Sequence, residues 1–194
     1  MFLEPAILLS LASECQTYVD TDVIQQLISI ESSGNPYAIA VKGVPIVKQP
    51  DTLDEAIQSA RQLDKLGFNF SVGLMQINHT NFDKTNLTIE TAFDYCKNIN
   101  AGSQIFNECH DRAKVKFSNK TKDEILNHAA SCYYSGNFDY GFTKEGKNNV
   151  SYVDKFRGIK SKSKNTIKPK KQPENLSDKP RNTESWDVFG DFSN

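Results

Sequence analysis

Long apolar runs, surplus charge of either sign and metal-ligand spacing are what this sequence lacks. No stretch approaches the roughly 20 apolar residues of a membrane-spanning helix, and the mean hydropathy is −0.54. A transmembrane protein is not expected. Lys and Arg together number 23 against 24 for Asp and Glu, a net charge of −1. That balance gives no field to hold a nucleic acid, so no nucleic acid is expected as a partner. His79, His110 and His128 are scattered, without H-E-x-x-H spacing or clustered carboxylates. No metal and no other cofactor is expected. Neither a G-x-S-x-G elbow nor a phosphate-cradling glycine loop occurs. Cys109 and His110 are adjacent, a spacing that rarely sets a thiol against its base.

The four cysteines, Cys15, Cys96, Cys109 and Cys132, contain no C-x-x-C pair, which argues against zinc and thioredoxin-type sites. Two disulfides in an oxidising compartment and four buried thiols are both compatible with this spacing. Three connectivities are open.

The 194 residues suffice for one domain with a real core plus a tail. The opening "MFLEPAILLSLASEC" is apolar, but Glu4 precedes the run and no Lys or Arg does. It reads as the first helix rather than as an export signal. "DTDVIQQLISIESSGNP" predicts a helix capped at Asp20 or Thr21 and stopped by Gly34, Asn35 and Pro36. Ile24, Ile28 and Glu31 fall at i, i+4 and i+7, with Leu27 four residues before Glu31. A carboxylate therefore sits on, or at the edge of, the face that packs inward. It is either a helix-end acid paired with a base or facing solvent, or a general acid whose proton burial retains.

Downstream, "AIAVKGVPIVK" suggests a small hairpin about Lys42 and Gly43, with Pro45 confining its second strand to an edge. "DTLDEAIQSARQLDKLG" is a helix with a Thr52–Glu55 capping box, an apolar stripe including Leu53, Ala56 and Ala60, and a stop at Gly67. In "GLMQIN", Gln76 and Asn78 either satisfy backbone groups or face a cleft that binds sugar amides and hydroxyls. Two more helices lie within "ETAFDYCKNINAGSQIFNECHDRAK" and "TKDEILNHAASCYYSG". The second has a capping box, Thr121 and Glu124, an inner face of Ile125, Ala129 and Cys132, and a stop at Gly136. "SGNFDYGFTKEGKNN" reads as a loop and "VSYVDKFRG" as a short last helix. The expected fold is α+β and mainly helical, with a small β flap, over residues 1–158.

Residues 159–194 change composition. "IKSKSKNTIKPKKQPENLSDKPRNTE" is polar and without apolar period, which predicts a disordered tail. Trp186, Phe189 and Phe192 follow it, either as a docking motif that orders on a partner or as apolar residues without a role.

Four elements remain: Glu31-Ser32, "GLMQIN" from Gly73, the "YYSGN" turn of residues 133–137, and Tyr152 with Val153. In that order they resemble the lytic transglycosylases of the goose-type lysozyme superfamily, over about residues 15–157. The stretch between Ala38 and Gly73, with "GFNFSVGLMQINHTNF", "TAFDYCKNI", Cys15 and Cys96, is similar to the members encoded with type IV secretion systems. The resemblance implies a lysozyme-like fold and peptidoglycan glycan strands as substrate. It implies Glu31 as the single acid and base that forms 1,6-anhydro-muramoyl ends. Ser32, Gly73, Gln76, Asn78, Tyr133, Tyr134 and Asn137 would border the substrate, and Tyr152 would hold Glu31. Tyr134 stands where Asn is commoner in the family turn. Cys15–Cys96 and Cys109–Cys132 are the implied pairs. A monomer in the periplasm of a Gram-negative bacterium, with secretion-system components as partners, completes the expectation. The alternatives are a hydrolytic muramidase of the same fold, a catalytically silent peptidoglycan-binding scaffold, and an adaptor acting through its tail.

Overall fold

A computed structural model describes residues 2–15, 18–46, 48–146 and 149–158. The tail, with Trp186, Phe189 and Phe192, lies outside these residues. The described part is mainly helical. Helix α1 (Pro5–Cys15) and α2 (Thr21–Glu31) come first, then strand β1 (Ile39–Val41) and α3 (Leu53–Lys65). Strands β2 (Phe70–Val72) and β3 (Ile77–Asn78) follow, and then the single-turn α4 (Phe82–Thr85). The long α5 (Tyr95–Lys116), α6 (Lys122–Ser135), the two-residue strands β4 (Lys144–Glu145) and β5 (Val150–Ser151), and α7 (Tyr152–Phe156) complete it.

Helix α2 shows how the pattern becomes packing. Ile24, Leu27 and Ile28 are fully buried, each contributing about 1.5–3 kcal/mol relative to exposure. The same face carries Glu31, 9 % exposed. The expected cap makes no side-chain hydrogen bond at Asp20, and Thr21 lies inside the helix. Helix α6 has the full capping box: Thr121 Oγ1 accepts from Glu124 N, and Glu124 accepts from Thr121 N. Helix α3 has half of one. Thr52 accepts from Glu55 N, but the Glu55 carboxylate turns to Asp51 N instead. Leu53, expected on the inner stripe, is 42 % exposed because only Ala56 and Ala60 of α3 face the core fully.

Two disulfides tie the helices together: Cys15–Cys96 joins α1 to α5, and Cys109–Cys132 joins α5 to α6.

The small sheet has the order β1-β2-β3, all antiparallel. The expected local hairpin about Lys42 and Gly43 does not form as two strands. Val41 makes only an isolated bridge to Val44, and β1 pairs instead with β2, Val41 opposite Phe70. Pro45 and the turn leave too little chain to run back along β1. The outer edge of β1 is occupied by a side chain: Gln49 Oε1 accepts from Ile39 N and Gln49 Nε2 donates to Ile39 O. A second correction concerns the expected loop, residues 135–149. Its described residues include a 3₁₀ turn, Tyr140–Phe142, and strand β4, which pairs with β5. Pairs this short carry no readable alternation.

Helix α5 passes directly over the turn between β2 and β3. A Cβ at Gly102 would meet the Met75 side chain at 2.6 Å, so glycine is what lets the helix approach.

Candidate active site

Glu31 ends α2 at the floor of a cleft of about 230 Å³ between the small sheet and the end of α6. Ser71, Gln76, Asn78, Tyr133 and Tyr134 also line it. Burial costs the charged form its hydration, and this lifts the Glu31 pKa to about 7. The Tyr152 hydrogen bond and the charge of Lys155 pull it part of the way back. Tyr152 Oη donates to Glu31 Oε1 at 2.5 Å. Burial, with Glu31 beside them, drives the Tyr133 and Tyr152 hydroxyls well above the usual tyrosine range. Both stay protonated donors.

Tyr152 is aimed by local structure. Ser151 caps α7 in a capping box with Asp154, which fixes the first residue of that helix. Tyr134 stacks on Tyr152 with centroids 4.5 Å apart, and its hydroxyl donates to Glu145 Oε2.

Gln76, at the end of the turn of residues 73–76, lines the cleft, and side chains of or next to three helices grip that turn. Ser32 Oγ, just past α2, donates to Leu74 O at 2.9 Å. Tyr133 Oη, from α6, donates to Met75 O at 2.6 Å. Asn98, on α5, accepts from Met75 N and donates to Val72 O and Ala92 O. Asn98 is 1 % exposed, so these partners satisfy an amide that burial would otherwise penalise. Gly73 has φ +80°, and a Cβ there would come 2.2 Å from Asn98 Nδ2. Gln76 adopts φ +46°, an uncommon region for a residue with a side chain. Its Nε2 donates to Ala38 O and Gly73 O. Two carbonyl partners fix the amide's orientation, so its remaining capacity is that of an acceptor. Asn78 pairs across the strands with Ser71. It donates to Asn69 and Ser71 and accepts from Thr80.

Of the residues singled out in the sequence, Glu31, Gln76, Asn78, Tyr133 and Tyr134 therefore meet at one cleft. Ser32, Gly73 and Tyr152 lie directly behind it. Asn137 does not line it: its Oδ1 accepts from Asp139 N and Tyr140 N in the turn after α6. Ala40, Ser71, Ile77, Asn81 and Ile105, which also line the cleft, and the buried Asn98 were not anticipated. Asn98 had a signal, since it lies in "YCKNI" beside the buried Ile99 and three residues before Ala101.

The three histidines pack rather than gather. His79 stacks on Phe70 and His128 on Phe117, while His110 lies against Phe106. Among the described residues no three His, Cys, Asp or Glu side chains form a metal-binding group, and no helix is long and apolar enough to cross a membrane.

A helical domain with a small sheet flap and one buried carboxyl at the cleft floor is of the lysozyme-like class. Residues 9–152 match the family model described as the transglycosylase SLT domain, and the chain belongs to that family. Among its relatives is the type IV secretion system protein virB1 of Brucella abortus, 45 % identical over 148 residues. That alignment covers 76 % of this chain, and the chain spans 61 % of the relative's length. The protein virB1 of Agrobacterium fabrum is 25 % identical over 184 residues, 93 % of this chain and 69 % of its own. That of Rhizobium radiobacter is 28 % identical over 188 residues, 93 % and 71 % respectively. No solved structure matches the chain.

Proposed function

We propose that this chain cleaves the β-1,4 bond between N-acetylmuramic acid and N-acetylglucosamine in peptidoglycan without consuming water. The products carry 1,6-anhydro-muramoyl ends. The observation that carries this reading is Glu31, the only carboxyl among the described residues that line the cleft, with its pKa lifted to about 7. A group with that pKa serves as acid and as base near neutrality. Glu31 first gives its proton to the glycosidic oxygen, and the bond from that oxygen to muramoyl C1 breaks. The resulting carboxylate then takes the proton of the muramoyl C6 hydroxyl while O6 bonds to C1. Glu31 ends protonated, as it began.

A hydrolase of the paired-carboxylate kind needs a second acid about 5–9.5 Å from the first. No second carboxyl is found among the described residues that line the cleft, which favours the one-acid route. Gln76, Asn78, Tyr133 and Tyr134 meet the sugars, and Tyr152 holds Glu31. Ser32 and Gly73 act through the turn they support, and Asn137 through the segment that follows it.

The cellular role we infer is local opening of the wall for assembly of a type IV secretion system, in the periplasm of a Gram-negative bacterium. The names of the Brucella relatives support it, as do two disulfides, which persist in oxidising compartments. Trp186, Phe189 and Phe192 of the tail are the proposed contact with a secretion-system component, and the enzyme itself works as a monomer.

The test is mass spectrometry of the soluble products from purified peptidoglycan, wild type beside Glu31→Gln. Anhydro-muramoyl ends that vanish with the variant support the proposal. Reducing ends would make it a hydrolase, and no product from either protein would make it a binding protein.

A further inference from the structure

Three tyrosine rings form a row from the buried acid to the surface. Tyr152, 4 % exposed, donates to Glu31. Tyr134 lies against it with the ring planes 11° apart. Tyr140 comes next, its centroid 6.3 Å from that of Tyr134 and its plane tilted by 19°. Tyr140 is 51 % exposed.

Half-exposed aromatics are ordinary, but this one stands on a fastened backbone. Asn137 Oδ1 accepts from Tyr140 N at 3.1 Å. Gly141 N donates to Ser131 Oγ at 2.8 Å, and that hydroxyl donates in turn to Asn137 O at 2.7 Å. Gly141 sits so close to α6 that a Cβ would come 2.7 Å from Ser131 Cα. The 3₁₀ turn is thus stapled to the helix that carries Tyr133 and Tyr134 into the cleft.

We propose that Tyr140 is a stacking platform for a pyranose of the glycan strand outside the catalytic cleft, continuing the aromatic surface that Tyr134 begins inside it. The proposal rests on the glycan-cleaving reading above. A β-1,4-linked N-acetylated sugar holds its substituents equatorially and so presents flat C–H faces. Such a face packs on an aromatic ring. A ring already held in place loses little freedom when the sugar arrives. A protein side chain could use the same ring. Continuity with Tyr134, which lines the cleft, favours the strand that runs through it.

The test uses the full chain with Glu31→Gln, so that ligand is bound and not consumed, titrated calorimetrically with chitobiose and chitohexaose. Adding Tyr140→Ala lowers the chitohexaose affinity by about three- to tenfold, the range of one aromatic contact. The ratio of chitohexaose to chitobiose affinity falls with it. Tyr140→Trp retains the affinity. Tyr140→Leu, which keeps apolar packing without a flat face, loses it even if the Ala variant proves unstable. An unchanged chitohexaose affinity in the Ala and Leu variants overturns the platform, as does an equal loss for both sugars. A parent protein that binds neither sugar overturns the glycan reading itself, and the platform with it.

Discussion

The burial of the Glu31 carboxyl has a thermodynamic cost that can be measured. Its folded pKa of about 7 lies above the ordinary carboxyl value of 4.5, so the folded state holds the proton more tightly than the unfolded one. The stabilisation from that proton is full below about pH 4.5 and is lost as pH climbs through 7. At pH 8 the buried charge costs on the order of 3 kcal/mol. Glu31→Gln, which keeps an acceptor for Tyr152, therefore raises the urea midpoint clearly at pH 8 and little at pH 5. A midpoint gain of equal size at both values would remove burial as the cause. With Glu31 as the proposed acid, wall cleavage should fall as pH rises past about 7, read from the pH–rate profile. Tyr152→Phe deletes a hydrogen bond that lowers the Glu31 pKa. Its pH–rate profile should keep a lower plateau, with the alkaline limb moved upward. A limb moved downward would contradict the pull assigned to Tyr152.

At the scale of elements, the turn of residues 73–76 closes on itself through Gln76 N donating to Gly73 O and is gripped from outside by side chains of or next to three helices. Asn98→Ala removes the side-chain partner of Met75 N, Val72 O and Ala92 O and should cost about 2–4 kcal/mol, read from chemical unfolding. Gly73→Ala drives a methyl group into the same amide and should lose activity even where it folds, by displacing Gln76. Helices α1, α2, α3, α5, α6 and α7 were legible because caps, stops and the 3.6-residue period are local signals. The sheet was only half legible. The hairpin expected at Lys42 and Gly43 is local, whereas β1 chooses β2 from the far side of α3. The inward placement of Glu31 could be read from i, i+4 and i+7, but that spacing left its role open. Its bond to Tyr152 joins residues 121 apart, so resemblance suggested it where periodicity could not. Asn137 shows the converse: its place in the "YYSGN" turn pointed to substrate, but its amide faces Tyr140 N. Hydrogen bonding at a turn is settled by backbone geometry that residue identity does not state.

For the molecule as a whole, the two disulfides close separate stretches of chain, with sequence separations of 81 and 23. Loop-closure entropy assigns each about 3–5 kcal/mol, the longer loop more. Replacing Cys15 and Cys96 by Ser should lower the thermal midpoint more than replacing Cys109 and Cys132, and the two losses should nearly add. A quadruple variant much more stable than that sum would show that the bridges share their effect. Because both members of one pair precede both members of the other, the connectivity also has a direction in time. A chain threading amino end first into an oxidising compartment delivers Cys15 and Cys96 before Cys109 has emerged. An oxidase that joins cysteines in order of arrival produces the native bridges without later shuffling.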